Sequence, residues 1–135
     1  MVYRSNEEVE SLVRSFLTCQ LPVEAWTHEA HLTVGIWHLL RYTPIETLLL
    51  MRVNIISYNQ SVNTPNNFER GYHETLTWFW IKTLHEFLED FGREQSLTDT
   101  CNALFSSKWS DRNRALQFYE REKLFSVEAR ARIIE

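Results

Sequence analysis

The sequence predicts an all-α protein, a four-helix-type bundle with additional short C-terminal helices, in one domain over residues 1–135. Three observations predict it. Only three glycines and three prolines occur in 135 residues. Apolar residues recur at helical rather than alternating spacing, and the apolar stretches open at Ser or Thr residues placed to cap helices. A chain of this length can bury an ordinary hydrophobic core without disulfides or metals to staple it.

The first helix opens with Ser5 and Glu8 in capping-box spacing and places Val9, Leu12, Val13, Phe16 and Leu17 on one face. It should end near Cys19. Pro22 marks a connection, after which Thr27 caps a second helix expected to reach about Tyr42. Thr43, Pro44 and Glu46 then supply a cap, a first-turn proline and a third-position carboxylate for a third helix ending near Asn59. Residues 60–69, with Asn63-Thr64-Pro65-Asn66-Asn67, have turn chemistry. A fourth helix is expected over 72–91, with Gly92 as its left-handed stop. Segments 96–107, 111–124 and 126 onwards read as shorter helices, each opened or preceded by Ser.

Hydrophobic residues make up 44% and charged ones 24% of the chain, the composition of a soluble globule rather than a disordered one. Five Trp supply material for a dense core or a pocket wall. The net charge of -4 and the lack of a Lys/Arg stripe argue against nucleic acid as a partner. The longest strongly apolar stretch, 45–51, is interrupted by Glu46 and too short to span a bilayer, and the first residues do not read as a signal peptide. No membrane association and a cytoplasmic location are therefore expected. Cys19 and Cys101 lie far apart without C-x-x-C spacing and read as small core residues.

The candidate site rests on histidines. At about 100° per residue, His28, His31, Gly35, His38 and Tyr42 fall within an arc of about 80° on the second helix, bordered by Leu32, Ile36 and Leu39. Gly35 leaves room there for a helix or a ligand. His28 and His31 sit in the first turn, where the helix dipole disfavours imidazolium, so neutral rings are expected. On the fourth helix His73, Thr77, Trp80, Leu84 and Phe87 share one face, while Lys82, His85 and Glu89 share the other. Glu74 lies at the margin, able to turn towards His73 or to stay exposed. Arg52 falls between Ile45, Leu49 and Ile56 on the side of the third helix read as apolar, with Asn59 a turn further. A guanidinium buried there needs an acceptor such as Glu74, Glu29 or an anionic ligand; the alternative is an Arg that snorkels outwards.

Three chemistries remain open on these residues. A divalent metal (Zn, Mn, Fe or Ni) could take His28, His31 and His73, with Glu29, Glu74 or Glu69 as a fourth donor. A metal-free site would use His73, Glu74 and His31 for proton transfer, with Arg52, Tyr72, Thr77, Tyr42 and Asn59 binding the ligand. The third reading is a histidine cluster that only orders the core. The zincin H-E-x-x-H pattern and the E-x-x-H pairs of di-iron bundles are absent, as are a glycine-rich phosphate loop and a G-x-S-x-G elbow.

The segments Thr27-His28-Glu29-Ala30-His31-Leu32, Gly71-Tyr72-His73-Glu74-Thr75 and Phe118-Tyr119-Glu120-Arg121-Glu122 through Ser126-Val127-Glu128-Ala129-Arg130 resemble those of a family of small, uncharacterised, all-helical bacterial proteins. The resemblance covers most of the chain and brings no activity with it. It implies that the three segments form one unit, with Tyr119, Arg121 or Arg130 approaching the histidines, against ordinary pairing on helix surfaces. The functional expectation is a helical protein with an internal His-rich polar pocket acting on a small molecule, metal-dependent in one version. The alternative is a non-catalytic small-molecule-binding or protein-interaction module. Trp26, Trp37 and Trp78 fall away from the inward faces, which points to an exposed edge of apolar and aromatic surface and a homodimer.

Overall fold

Hydroxyl side chains set most of the helix starts. Ser5, Thr27, Thr43, Ser96 and Ser126 each accept a hydrogen bond from the backbone N–H three residues on, satisfying a donor that the first turn cannot. Thr43 and Glu46 complete a reciprocal capping box with Pro44 in the first turn. The computed structural model describes residues 2–135. Their helices are α1 (Asn6–Leu17), α2 (His28–Leu39), α3 (Pro44–Ser61), α4 (Glu74–Phe91), α5 (Leu97–Phe105), α6 (Arg121–Leu124) and α7 (Val127–Ala131). Short 3-10 turns lie at Val23–Ala25, Lys108–Ser110 and Arg114–Gln117, and no strand occurs among the described residues. No helix among them is long and apolar enough to cross a membrane.

Two helices form the centre. α4 packs on α2, α3 and α7, while α2 also touches α1, α3 and α5. α2 is therefore buried almost all round, including Ala30, Thr33, Val34, Gly35 and His38. The arc expected for it is kept only in part: His28, His31 and Gly35 face one space, whereas His38 is buried apart from them and Tyr42 is exposed beyond the helix end. α2 also stops at Leu39 rather than reaching Tyr42. The cause is local: Pro44 requires an extended Thr43, which sits at φ -68° and ψ 163°, so the chain must leave the helix before it.

The phase of α3 differs too. Its buried residues are Thr47, Leu48, Met51, Ile55, Tyr58 and Asn59, whereas Ile45, Leu49 and Val53 are 58%, 51% and 60% exposed. The side carrying Ile45 and Leu49 thus faces outwards. The tryptophans move the opposite way. Trp26 is sandwiched between Phe16 at 4.3 Å and His31 at 3.7 Å. Trp37 donates to Glu10 at 3.0 Å beneath the Arg41 guanidinium, and Trp78 packs against the core. Exposed apolar side chains lie instead along α3 at Ile45, Leu49 and Val53, and at aromatic positions other than the tryptophans, including Phe68, Phe118 and Phe125.

The helix expected over 111–124 is broken into a 3-10 turn and α6, with extended Glu120 between them. Ala115 and Leu124 are nine residues apart and would face opposite sides of one continuous helix. The break lets both pack on Phe79 of α4. The C-terminal segment is then tied to the start of α4. The Thr75 hydroxyl donates to the Arg132 carbonyl at 2.8 Å and accepts from the Ile134 N–H at 3.1 Å. Arg130 donates to the Gly71 and Tyr72 carbonyls at 3.1 and 3.2 Å. Gly71 has φ 87° and stands where a Cβ would come within 2.2 Å of the Pro65 carbonyl oxygen, so only glycine fits this turn.

Candidate functional site

Between α2, α3, α4 and the 62–73 connection lies a chamber of about 360 Å³. Its floor is formed where Gly35 of α2 meets Leu84 of α4: a Cβ on Gly35 would come within 2.6 Å of Leu84 Cδ1, so a side chain there would require Leu84 to shift. Met51, Ile55, Leu76 and Ile81 supply aliphatic wall, and Trp26, Tyr72 and Trp80 aromatic wall. The polar lining comes from Thr27, His28, His31, His73, Thr77 and Arg112. A second recess, lined by Thr27, His28, Glu29, Ser110 and Arg112, adjoins it.

The histidines around this space are held in three different ways. His31 donates from Nδ1 to the Thr27 carbonyl at 2.7 Å, stacks on Trp26, and has no protein partner at Nε2 among the described residues. Burial pulls its pKa down to about 4, against the Thr27 hydrogen bond and with help from the nearby His28 and Arg112 charges, so the ring is neutral near pH 7. The Thr27 carbonyl already accepts the His31 backbone N–H at 3.0 Å, so the side-chain bond is redundant for the fold. His28 donates from Nε2 to the Ser110 carbonyl at 2.8 Å, which fastens the Lys108–Ser110 turn over the start of α2.

His73 does a different job. It lies one position before α4, not within its first turn, and its Nδ1 accepts the Leu76 N–H at 3.1 Å as an N-cap. Its Nε2 donates to the Leu124 carbonyl at 2.8 Å. Both nitrogens are engaged, and burial lowers its pKa despite the Leu124 bond. In this arrangement His73 brings no free nitrogen to the chamber. Among the described residues no group of three or more His, Cys, Asp or Glu side chains is placed to hold a metal ion.

The other expected site residues divide. Tyr72 and Thr77 line the chamber, although the Tyr72 hydroxyl donates to Glu74 at 2.6 Å and the Thr77 hydroxyl to the His73 carbonyl at 2.8 Å. Arg52 and Glu74 find each other, as one expectation had it, in a two-pronged ion pair outside the chamber. Burial opposes ionisation of Glu74, but Arg52 and Tyr72 outweigh it and hold the carboxyl below its ordinary range. Asn59 is buried and donates to Asn66 at 3.0 Å, shaping the connection rather than the chamber. Tyr42, past the end of α2, is 40% exposed and lies outside it. His38 is buried elsewhere in α2, bonded to the Val34 carbonyl at 2.7 Å. Of the C-terminal residues, Arg130 reaches the backbone beside His73, while the Tyr119 hydroxyl donates to Ile134 and Arg121 lies over Phe125.

Glu74→Ala should remove the carboxylate that Arg52 and Tyr72 share. With the Arg52 side chain 37% exposed, water can take over much of that charge, and the expected loss is about 1 to 2 kcal/mol in urea unfolding rather than the larger cost of orphaning a fully buried ion. Arg112 was not legible as a site residue. It sits in a segment read as helix and reaches the chamber only because the chain turns at Ser110 and Asp111.

Comparison with family models, with curated proteins and with solved structures finds no match to this chain.

Proposed function

We propose that the protein binds a small molecule in this chamber, with His31 Nε2 accepting a hydrogen bond from it. The observation that carries the reading is the redundancy of the His31 ring. Burying an imidazole against its own protonation lowers stability in acid, and its one protein hydrogen bond goes to a carbonyl that the backbone already satisfies. The ring's polar contact thus adds little to folding, its stack on Trp26 holds it in place, and its free acceptor is offered to whatever enters. Recognition is favoured over proton abstraction, because a base with a pKa of about 4 is mismatched to neutral pH by some three units. A metal-dependent version would use the unpartnered nitrogens of His28 and His31, with further donors from the bound molecule or water.

Replacement of His31 by Leu tests the reading. Protein-observed NMR against a panel of small hydroxylated acids, amines and neutral alcohols should find saturable binders that shift the Trp26 and Trp80 indole signals. His31→Leu should weaken them about tenfold, the worth of one hydrogen bond in a desolvated site. The melting temperature at pH 7.5 should hold or rise. A variant that melts well below the parent yet binds equally would make His31 a structural residue. Zn or Ni titration in the same spectra supports the metal version if uptake disappears in His31→Leu.

A further inference from the structure

The lining of the chamber also states what kind of molecule it suits. Arg112 is the one fully charged side chain lining it among the described residues, since Glu29 lines only the adjoining recess. Arg112 makes no ion pair among the described residues, unlike Arg41, Arg52, Arg93 and Arg132. Thr27 and His28 on the same wall begin α2, so the positive end of that helix's dipole lies beside the guanidinium. This end of the chamber attracts an anion.

His31 adds a second requirement. Its Nδ1 proton is committed to the Thr27 carbonyl, so its Nε2 can only accept and needs a ligand O–H or N–H. The same acceptor would be repelled by a second anionic oxygen. A single guanidinium balances one negative charge, and the planar fork of Arg fits a carboxylate with two parallel hydrogen bonds. The remaining wall is mostly apolar, with Met51, Ile55, Trp80 and Ile81 among it.

Resting on the binding function proposed above, we infer that the ligand is a small, largely apolar carboxylic acid bearing one hydroxyl or N–H. Its carboxylate pairs with Arg112 at the start of α2, its hydroxyl or N–H donates to His31, and its apolar body lies against Trp80.

The test uses 4-hydroxyphenylacetate, its methyl ester and tyramine, which share a hydroxylated ring and differ in charge at the other end. Affinities are read from NMR titration of the whole chain at pH 7.5. The acid should bind about tenfold more tightly than the ester, with tyramine weakest. Arg112→Gln, at an exposed position, should erase the acid's advantage and leave the ester unchanged. An ester or amine that binds as tightly as the acid overturns the carboxylate inference while leaving the chamber as a binding site. An acid preference that survives Arg112→Gln overturns the assignment to Arg112. Saturation by none of the three probes overturns the inference together with the binding function beneath it.

Discussion

His73→Ala should lower the unfolding free energy by about 3 kcal/mol, the largest loss expected from any polar side chain lining the chamber. Two interactions disappear together. The N-cap of α4 goes with the Leu76 contact, worth about 1 kcal/mol for an ordinary cap. The Leu124 carbonyl loses its partner in a buried position, which costs about 1 to 3 kcal/mol more. Urea unfolding measures the sum, and limited proteolysis locates it: cleavage should appear first within 118–135, because Leu124 holds that segment to α4 alongside Thr75 and Arg130. His73→Asn keeps a capping side chain and should recover about 1 kcal/mol. The competing result is specific. Unchanged stability with loss of ligand or metal binding would make His73 a functional donor and would mean that its hydrogen bonds to Leu76 and Leu124 are dispensable.

That split between His31 and His73 marks where sequence reasoning runs out. Capping by Ser and Thr is local chemistry, decided within four residues, so the starts of α1, α2, α3, α5 and α7 were legible. An imidazole cap is uncommon, and His73 was read as the first turn of the helix that it in fact precedes. The direction of a helix face is a different kind of quantity. α3 carries apolar residues on more than one side, so its sequence could not say that Met51 and Ile55 would face the chamber while Leu49 faced water. His28, His31, His73, Tyr72 and Thr77 all line one chamber. Tyr42 and Asn59 do not, because the proline-driven exit from α2 carries Tyr42 away and Asn66 occupies the Asn59 amide. Arg112 could not be found by periodicity at all. Its place depends on a long-range contact, the His28 hydrogen bond to Ser110, 82 residues away in sequence.

Acid should destabilise the protein well before its carboxylates titrate, and His31 should account for the largest share. The unfolded chain binds a proton at His31 near pH 6.5, whereas the folded chain resists it until about 4. Between those values the unfolded state holds more protons, so stability rises with pH across the window; it is complete above about 6.5 and lost as pH falls towards 4. At about 1.4 kcal/mol per unit, His31 contributes a decline on the order of 3 kcal/mol. His38 and His73 are also lowered by burial and act with the same sign. Glu74 acts on the far side of the window, since its carboxyl is held below its ordinary value of 4.5 by Arg52 and Tyr72. Urea unfolding of wild type and His31→Leu from pH 7.5 to 4 isolates the His31 share. The variant should match or slightly exceed wild type at pH 7.5, then lead by about 3 kcal/mol at pH 4. Parallel curves would show that the ring protonates in the folded state as readily as in water. That result would open the chamber end to solvent and remove the fixed acceptor on which recognition of a hydroxyl or N–H group depends.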